Sequence, residues 1–361
     1  MGAWLGLVAG LVLVVAGADA LVRGAARAAA AFGVPPLLVG LTVVAYGTSA
    51  PELAVSLSAG ASARPELALA NLVGSNVFNV LVILGLAALF APIAASADVV
   101  RREIPFMLLV TVGAMVLGAD AVFGRGDGLL LLAGLAALTA GQVRAARRAA
   151  RGAAHVRRDR HAHQSVAEPG RGRGLVRDAL LVVTGLTGLV IGAGWLVDAA
   201  VNIALDLGVS EVVVGLTIVA AGTSLPELAT SVVAALRGQR DLAIGNVVGS
   251  NVFNLVGILG LASLTAPSGL PVASQVLALD AWVALGAAAL LLPLARSGGA
   301  LVRWEGAVLV VAYAVYLAAV VAIALGRLDV PAVAVGAAIA ALPLLAAAVA
   351  IVRRPRRARP R

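Results

Sequence analysis

The sequence predicts an all-α polytopic membrane protein made of two inverted-topology five-helix repeats and one further C-terminal helix, about 11 transmembrane helices in total. Three observations predict it. Of 361 residues, 61% are apolar and 12% charged, with a mean hydropathy of +1.03. That leaves too little polar surface to cover a soluble globule of this size. The apolar residues fall into runs long enough to cross a bilayer, which takes about 20 helical residues for roughly 30 Å of hydrocarbon. Finally, sliding the chain by 175 positions aligns Pro36–Pro92 with Glu211–Pro267 without a gap, at 33 identities in 57, which marks an internal duplication.

Taken in order, Ala3–Val22 has no basic leader and no small-residue cleavage site, so it reads as a retained first span. Leu37–Gly60 and Leu67–Ala91 are spans two and three and carry the first copy of the duplicated text. Pro105–Gly118 and Leu129–Val143 complete the first unit, residues 1–143, with Arg101, Arg102, Asp120, Arg125 and Asp127 at their edges. From Arg144 to Arg177 the composition turns to Arg, His, Gly and Gln, a basic linker (144–177) that cannot build a core. Its start, Arg144 to Arg151, is expected to lie as a basic helix on anionic lipid, and the stretch from Glu168 to Gly174 to be loop or disorder. His155, His161 and His163 fall here; a solvated loop is preferred over a three-imidazole metal site. The second unit, 178–326, repeats the plan with spans Ala179–Val197, Val212–Ala235, Leu242–Leu264, Val276–Leu294 and Ala307–Leu325. Residues 327–361 hold an eleventh apolar run, Val330–Val352, and a basic tail.

All 27 basic residues are arginine. Placing the N-terminus outside puts every one of them except Arg64, Arg125 and Arg327 on the cytoplasmic side, as the positive-inside rule requires. The expected location is the plasma (inner) membrane, multi-pass, with the central loop and C-terminus cytoplasmic. The basic tail then serves as an orientation and lipid anchor, and nucleic acid is not expected as a partner. There is no cysteine, hence no disulfide framework, thiolate metal site or cysteine nucleophile.

Five spans separate the start of one repeat from the start of the next, and an odd number inverts the second copy. The two motifs then enter the membrane from opposite faces and meet near the midplane, the usual construction of a secondary transporter. Pro51 deprives the Gly47 carbonyl of its helical donor, and Pro226 does the same to Gly222. Freed carbonyls inside a membrane must find water, protein or a cation. Thr48 and Glu52, like Thr223 and Glu227, are four apart and share a helix face. Spans three and eight offer matching stripes, Asn71, Ser75 and Asn79 in one and Asn246, Ser250 and Asn254 in the other. Asn76 and Asn251 point about 100° away and suit packing or helix support. Oxygen donors with two carboxylates suit a hard cation such as Ca²⁺ or Na⁺ and lack the nitrogen and sulfur that zinc or copper select. A carboxylate near the bilayer centre costs about 2.5–3.5 kcal/mol, so a symmetric pair calls for a function. Small and amide residues are also ordinary packing devices between membrane helices, and part of the Ser and Asn stripes is expected to serve only that.

Gly47-Thr-Ser-Ala-Pro-Glu52 and Gly222-Thr-Ser-Leu-Pro-Glu227, each followed by Gly-Ser-Asn-Val-Phe-Asn, resemble the two α-repeats of the sodium/calcium exchanger branch of the calcium/cation antiporter superfamily. The resemblance reaches to about span ten. It implies that Glu52 and Glu227 are the central Ca²⁺ ligands with Thr48, Thr223, Ser49 and Ser224 beside them. It implies that main-chain oxygens near Ala45 and Ala220, with Ser75 and Ser250, help form flanking Na⁺ sites, and that Asn79 and Asn254 complete the middle. Asn254 stands where potassium-dependent relatives carry aspartate, so the chain resembles the potassium-independent pattern there. The eleventh span departs from the usual ten.

The expected function is therefore antiport of Ca²⁺ against Na⁺ by alternating access, with Ca²⁺ exported, spans one and six as the moving gates by resemblance, no cofactor and no enzymatic activity. The competing readings are a proton-coupled Ca²⁺ (or other cation) antiporter using the same cage, a channel without counter-ion coupling, and an intramembrane hydrolase. The last lacks a recognisable nucleophile and base within the spans.

Overall fold

The computed structural model describes residues 2–61, 65–161, 171–208, 214, 217–218, 220–296 and 299–327. The eleventh run, Val330–Val352, the basic tail and His163 lie outside these residues. Among the described residues the chain is a helical bundle: α1 (Gly2–Phe32), a bent pair α2 (Pro36–Thr48) and α3 (Ala50–Gly60), α4 (Glu66–Phe90), α5 (Val99–Asp120) and α6 (Arg125–His161). The second half follows with α7 (Arg171–Asp206), a turn at Ala220–Gly222, α8 (Leu225–Leu236), α9 (Arg240–Thr265), α10 (Val276–Arg296) and α11 (Arg303–Ala324). Eight of these helices are long and apolar enough to span a membrane, and the bent pair makes a ninth. Large apolar side chains such as Trp4, Leu5, Leu109, Val116, Val183 and Val311 point outward, a surface that only hydrocarbon satisfies over this extent.

The two halves carry the same devices at matching positions. A π-helical turn interrupts α4 at Asn79–Ile83 and α9 at Asn254–Ile258, and another opens α5 at Val99–Glu103 and α10 at Val276–Asp280. Such turns widen a helix by one residue and commonly mark functional positions. Two short strand pairs also join the halves: β1 (Ile93–Ala94) pairs antiparallel with β4 (Ala300–Leu301), and β2 (Val122–Phe123) with β3 (Leu270–Pro271). α4 and α9 are buried over most of their length and form the centre, while α6 is exposed along its most apolar stretch.

α1 and α7, the first helices of the two halves, pack on each other through glycine. A Cβ on Gly17 would stand 2.8 Å from the Gly185 carbonyl oxygen, and one on Gly185 2.6 Å from the Leu21 nitrogen. Gly10 and Gly192 meet the facing backbone in the same way. At these glycines the contact is backbone on backbone, as small residues permit between membrane helices. Between Gly17 and Gly24, two of the α1 glycines that meet α7, Asp19 forms ion pairs with Arg23 and with Arg237, the residue closing α8.

Three expectations about boundaries are corrected. α1 runs ten residues beyond Val22, to Phe32, because the Arg23-Gly-Ala-Ala-Arg-Ala-Ala-Ala-Ala segment consists mostly of strong helix formers. Among its described residues the basic linker is helical: the helix expected over Arg144–Arg151 is a continuation of α6 and runs on to His161, and α7 begins at Arg171, so Arg171–Gly174, expected as loop or disorder, is helix. Alanine and arginine rank among the best helix formers, so a polar segment with no core to bury can still extend a neighbouring helix. His155 and His161 fall on that extension. α5 starts at Val99, before Pro105, which its first α-helical turn accommodates.

Candidate functional site

The site is built where the backbone breaks. Ser49 has φ −79° and ψ 14°, outside helical geometry, and α2 and α3 meet there at 48°. Pro51 falls in the first turn of α3, where its missing N–H costs nothing. Ser224, at φ −88° and ψ 8°, repeats the break before α8, with Pro226 in its first turn. Glu52 and Glu227 therefore each sit in the first turn of a half-helix, where the partial positive charge of the helix end favours a carboxylate. The kink thus lies at Ser49 and Ser224, two residues ahead of the prolines that signal it.

Both carboxylates are buried, Glu52 at 1% and Glu227 at 0% exposure. Each is held by the opposite half. Ser49 Oγ donates to Glu227 Oε1 at 2.7 Å, and Ser224 Oγ donates to Glu52 Oε1 at 2.8 Å. These reciprocal bonds place the two breaks face to face about a local pseudo-two-fold axis. The second oxygen of each, Glu52 Oε2 and Glu227 Oε2, has no hydrogen-bond partner. Ser250 Oγ stands 3.5 Å from Glu227 Oε1 and 3.4 Å from the Ala45 carbonyl.

A second reciprocal set lies beside the first. Asn76 Nδ2 donates to the Asn251 carbonyl at 3.1 Å, and Asn251 Nδ2 to the Asn76 carbonyl at 3.3 Å. Their side-chain oxygens are occupied too: Asn79 Nδ2 donates to Asn251 Oδ1 and Asn254 Nδ2 to Asn76 Oδ1, both at 2.9 Å. With the amide nitrogens of Asn79 and Asn254 so engaged, their oxygens are left buried and without partners. The hydroxyls of Ser75 and Thr223 are likewise buried and unpaired. Buried polar atoms are normally hydrogen-bonded, and each exception asks for an explanation. Here two carboxylate, two amide and two hydroxyl oxygens share the same exception.

The sequence-predicted residues divide into two groups. Glu52, Glu227, Asn79, Asn254, Ser75 and Thr223 offer free oxygen, whereas Ser49 and Ser224 spend their hydroxyls on the opposing carboxylates. Thr48 Oγ1 stands 3.1 Å from the Val44 carbonyl and 3.2 Å from Asn246 Oδ1. Ala45 opens the last helical turn before the break and Ala220 the corresponding turn in the second half. Asn76 and Asn251 do support the helices, and beyond that they orient the Asn79 and Asn254 amides. Ser56 and Ser231 were missed altogether: Ser56 Oγ accepts from Asn71 Nδ2 at 3.1 Å, and Ser231 Oγ from Asn246 Nδ2 at 2.9 Å. The signal was present, since each follows its glutamate by four residues and both recur at the repeat offset. No three His, Cys, Asp or Glu side chains gather as a metal cluster among the described residues. Two carboxylates among neutral oxygens remain, a donor set for a hard cation taking 6–8 oxygens or fewer.

Comparison with known proteins finds relatives over most of the chain. The family model described as "Sodium/calcium exchanger protein" matches residues 2–144 and 178–322. The inner membrane protein YrbG of Escherichia coli (strain K12) is 42% identical over 261 residues, covering 72% of this chain and 79% of that one. The sodium/calcium exchanger MaX1 of Methanosarcina acetivorans is 33% identical over 339 residues, covering 86% of this chain and 96% of its own. Among solved structures, the sodium-calcium exchanger NCX_Mj soaked with Na⁺ and Sr²⁺ superposes with a TM-score of 0.73 at 31% identity, over 88% of this chain and 98% of that one.

Proposed function

The chain belongs to the sodium/calcium exchanger family, and from that premise we propose that Ca²⁺ and Na⁺ bind in turn between Glu52 and Glu227 and are exchanged by alternating access, with Ca²⁺ exported. It is a multi-pass membrane transporter and not an enzyme, with the two ions as its substrates. The observation that carries the proposal is the set of six buried, unpartnered oxygens, on Glu52, Glu227, Asn79, Asn254, Ser75 and Thr223. Glu52 and Glu227 are the central ligands, with Asn79 and Asn254 completing the middle. Ser75, Ser250 and the main chain near Ala45 and Ala220 form the flanking Na⁺ positions, beside Thr48 and Thr223. Ser49 and Ser224 tie each carboxylate to the other repeat, so a cation drawing on one glutamate pulls on both halves.

Two bare carboxylates are costly to carry through a closed, dry state, so the site crosses only when a cation compensates it. That requirement converts binding into exchange. α1 and α7 are the moving pair, and the close backbone approach at their glycines suits sliding of one helix on the other. In the proposed orientation the N-terminus is outside and the arginine-rich ends of α6 and α7 are cytoplasmic, against anionic lipid. The ion pairs of Asp19 with Arg23 and Arg237 then lie on the cytoplasmic side. An inward Na⁺ gradient sets the direction as Ca²⁺ export across the plasma membrane.

Radiolabelled Ca²⁺ uptake into Na⁺-loaded proteoliposomes diluted into Na⁺-free buffer tests this reading. Uptake requiring the outward Na⁺ gradient is expected. Equal uptake driven by a pH gradient without Na⁺ would move the chain to proton-coupled antiport, and uptake with no counter-ion at all would make it a channel.

The orienting asparagines give a finer prediction. Asn251→Ala frees the Asn79 amide to rotate, and loss of such ligand-orienting partners typically weakens metal binding about 10–100-fold. Asn76→Ala should act equally through Asn254. Ca²⁺ titration of the purified variants checks this, with Asn71→Ala as a packing control that leaves Asn79 and Asn254 tied.

A further inference from the structure

A cavity of about 320 Å³ opens between α4, α5, α9 and α10 at the end of the bundle that carries β2 and β3. Leu69, Val73, Ala114, Leu255, Leu259 and Val276 line it, and Asn76 and Asn251 form its floor. Its mouth passes Ala119 and Trp282, both exposed on the outside of the bundle. At the opposite end, β1 and β4 close over the repeat-related position, where Ile244 and Val248 replace Leu69 and Val73. The space there is about 20 Å³, room for about one water. The difference is written in the side chains. α10 presents Ala281, Ala284 and Ala288 to the large cavity, whereas Leu291, Leu301 and Ile104 fill the small one.

What fills the large cavity follows from its polar atoms. A buried water needs 2–4 polar partners, and apolar cavities stay dry. Both amide groups of the floor are already engaged at each end, on each other's carbonyls and on Asn79 and Asn254, and Asn251 Nδ2 also stands 3.6 Å from Met107 Sδ. Thr111, the remaining polar side chain, donates to the Met107 carbonyl at 2.8 Å. The cavity therefore has much apolar volume and few free partners for water, and Trp282 at its mouth is one of the large apolar side chains that point out of the bundle.

We propose that an acyl chain of a membrane lipid enters this cavity laterally and packs on the Asn76–Asn251 pair. The inference needs only the membrane placement of the bundle and stands apart from the exchange reading. Its occupant lies directly behind the amides that orient Asn79 and Asn254, so the lipid is positioned to bear on the oxygen site without touching a cation.

The test is photolabelling of the full chain in nanodiscs doped with a phospholipid carrying a diazirine in its acyl chain, with labelled residues read by mass spectrometry. Labels are expected on Leu255 and Val73, buried within the cavity, as well as on the outward-facing Leu109, and none on Ile244 or Val248. The double variant Ala114→Phe, Ala284→Phe should cut labelling of Leu255 at least tenfold and leave Leu109 unchanged; Ala288→Leu serves as a milder filling should the pair fail to fold. Labelling confined to Leu109 in the wild type, or labelling of Leu255 unaffected by filling, would overturn the proposal. So would labelling of Leu255 by a small apolar diazirine probe and not by the lipid, which would make the cavity a pocket for small apolar molecules.

Discussion

Glu52→Gln and Glu227→Gln are each expected to reduce Na⁺-driven Ca²⁺ uptake by about 100-fold or more, with the protein still folded in the membrane. Glutamine keeps the shape and one acceptor oxygen, so the hydrogen bond from the opposing serine survives in part. What it removes is a unit of negative charge beside a divalent cation in a buried site. Two unit charges at 4 Å attract by about 4 kcal/mol at the effective dielectric of 20 that suits such sites, and about 2.8 kcal/mol is already 100-fold. The reciprocal bonds at 2.7 and 2.8 Å predict that neither variant is spared by symmetry. Uptake assays on both, normalised to protein in the membrane, check this. One variant retaining wild-type uptake would show that its carboxylate is not a ligand.

Gly185→Leu is expected to lower uptake at least tenfold while leaving Ca²⁺ binding measurable. Even the Cβ would fall 2.6 Å from the Leu21 nitrogen and 2.8 Å from the Gly17 carbonyl, and neither is a side chain that can rotate away. α1 and α7 must separate to admit it, at a cost of about 1–3 kcal/mol typical of overpacking. The carboxylates belong to α3 and α8, outside this contact, so equilibrium binding should outlast transport. Unchanged uptake would mean that the α1–α7 contact does not move in the cycle. Loss of binding together with uptake would mean that it serves only to hold the fold.

The duplication made much of this site readable from the chain. Writing the motif twice, each time with a proline after Gly-Thr-Ser and a carboxylate next to it, identified Glu52 and Glu227, and the four-residue stripe added Asn79 and Asn254. Spacing alone could not separate roles within that set. Ser49 and Ser224 look like ligands in sequence, but the reciprocal arrangement turns each toward the other repeat's carboxylate, a contact between residues 178 and 172 positions apart. Asn76 and Asn251 looked like helix support, and their effect on Asn79 and Asn254 exists only where the two halves meet. Ser56 and Ser231 carry the repeat signal, but their bonds to Asn71 and Asn246 span 15 residues and have no signature in the spacing. At residues 144–177 a basic helix was expected only as far as Arg151, and the Ala and Arg content carries it on to His161. The large cavity had no sequence signature, since alanines on α10 read as ordinary membrane packing until their neighbours are known.

The central claim is that one oxygen site serves both ions in turn, and the most direct measurement is equilibrium binding of radiolabelled Ca²⁺ to the purified protein as Na⁺ is raised at constant ionic strength. Na⁺ should displace Ca²⁺ completely, with choline unable to substitute, and Glu52→Gln and Glu227→Gln should leave little Ca²⁺ to displace. Ca²⁺ binding indifferent to Na⁺ would contradict the shared site, whatever the fluxes show.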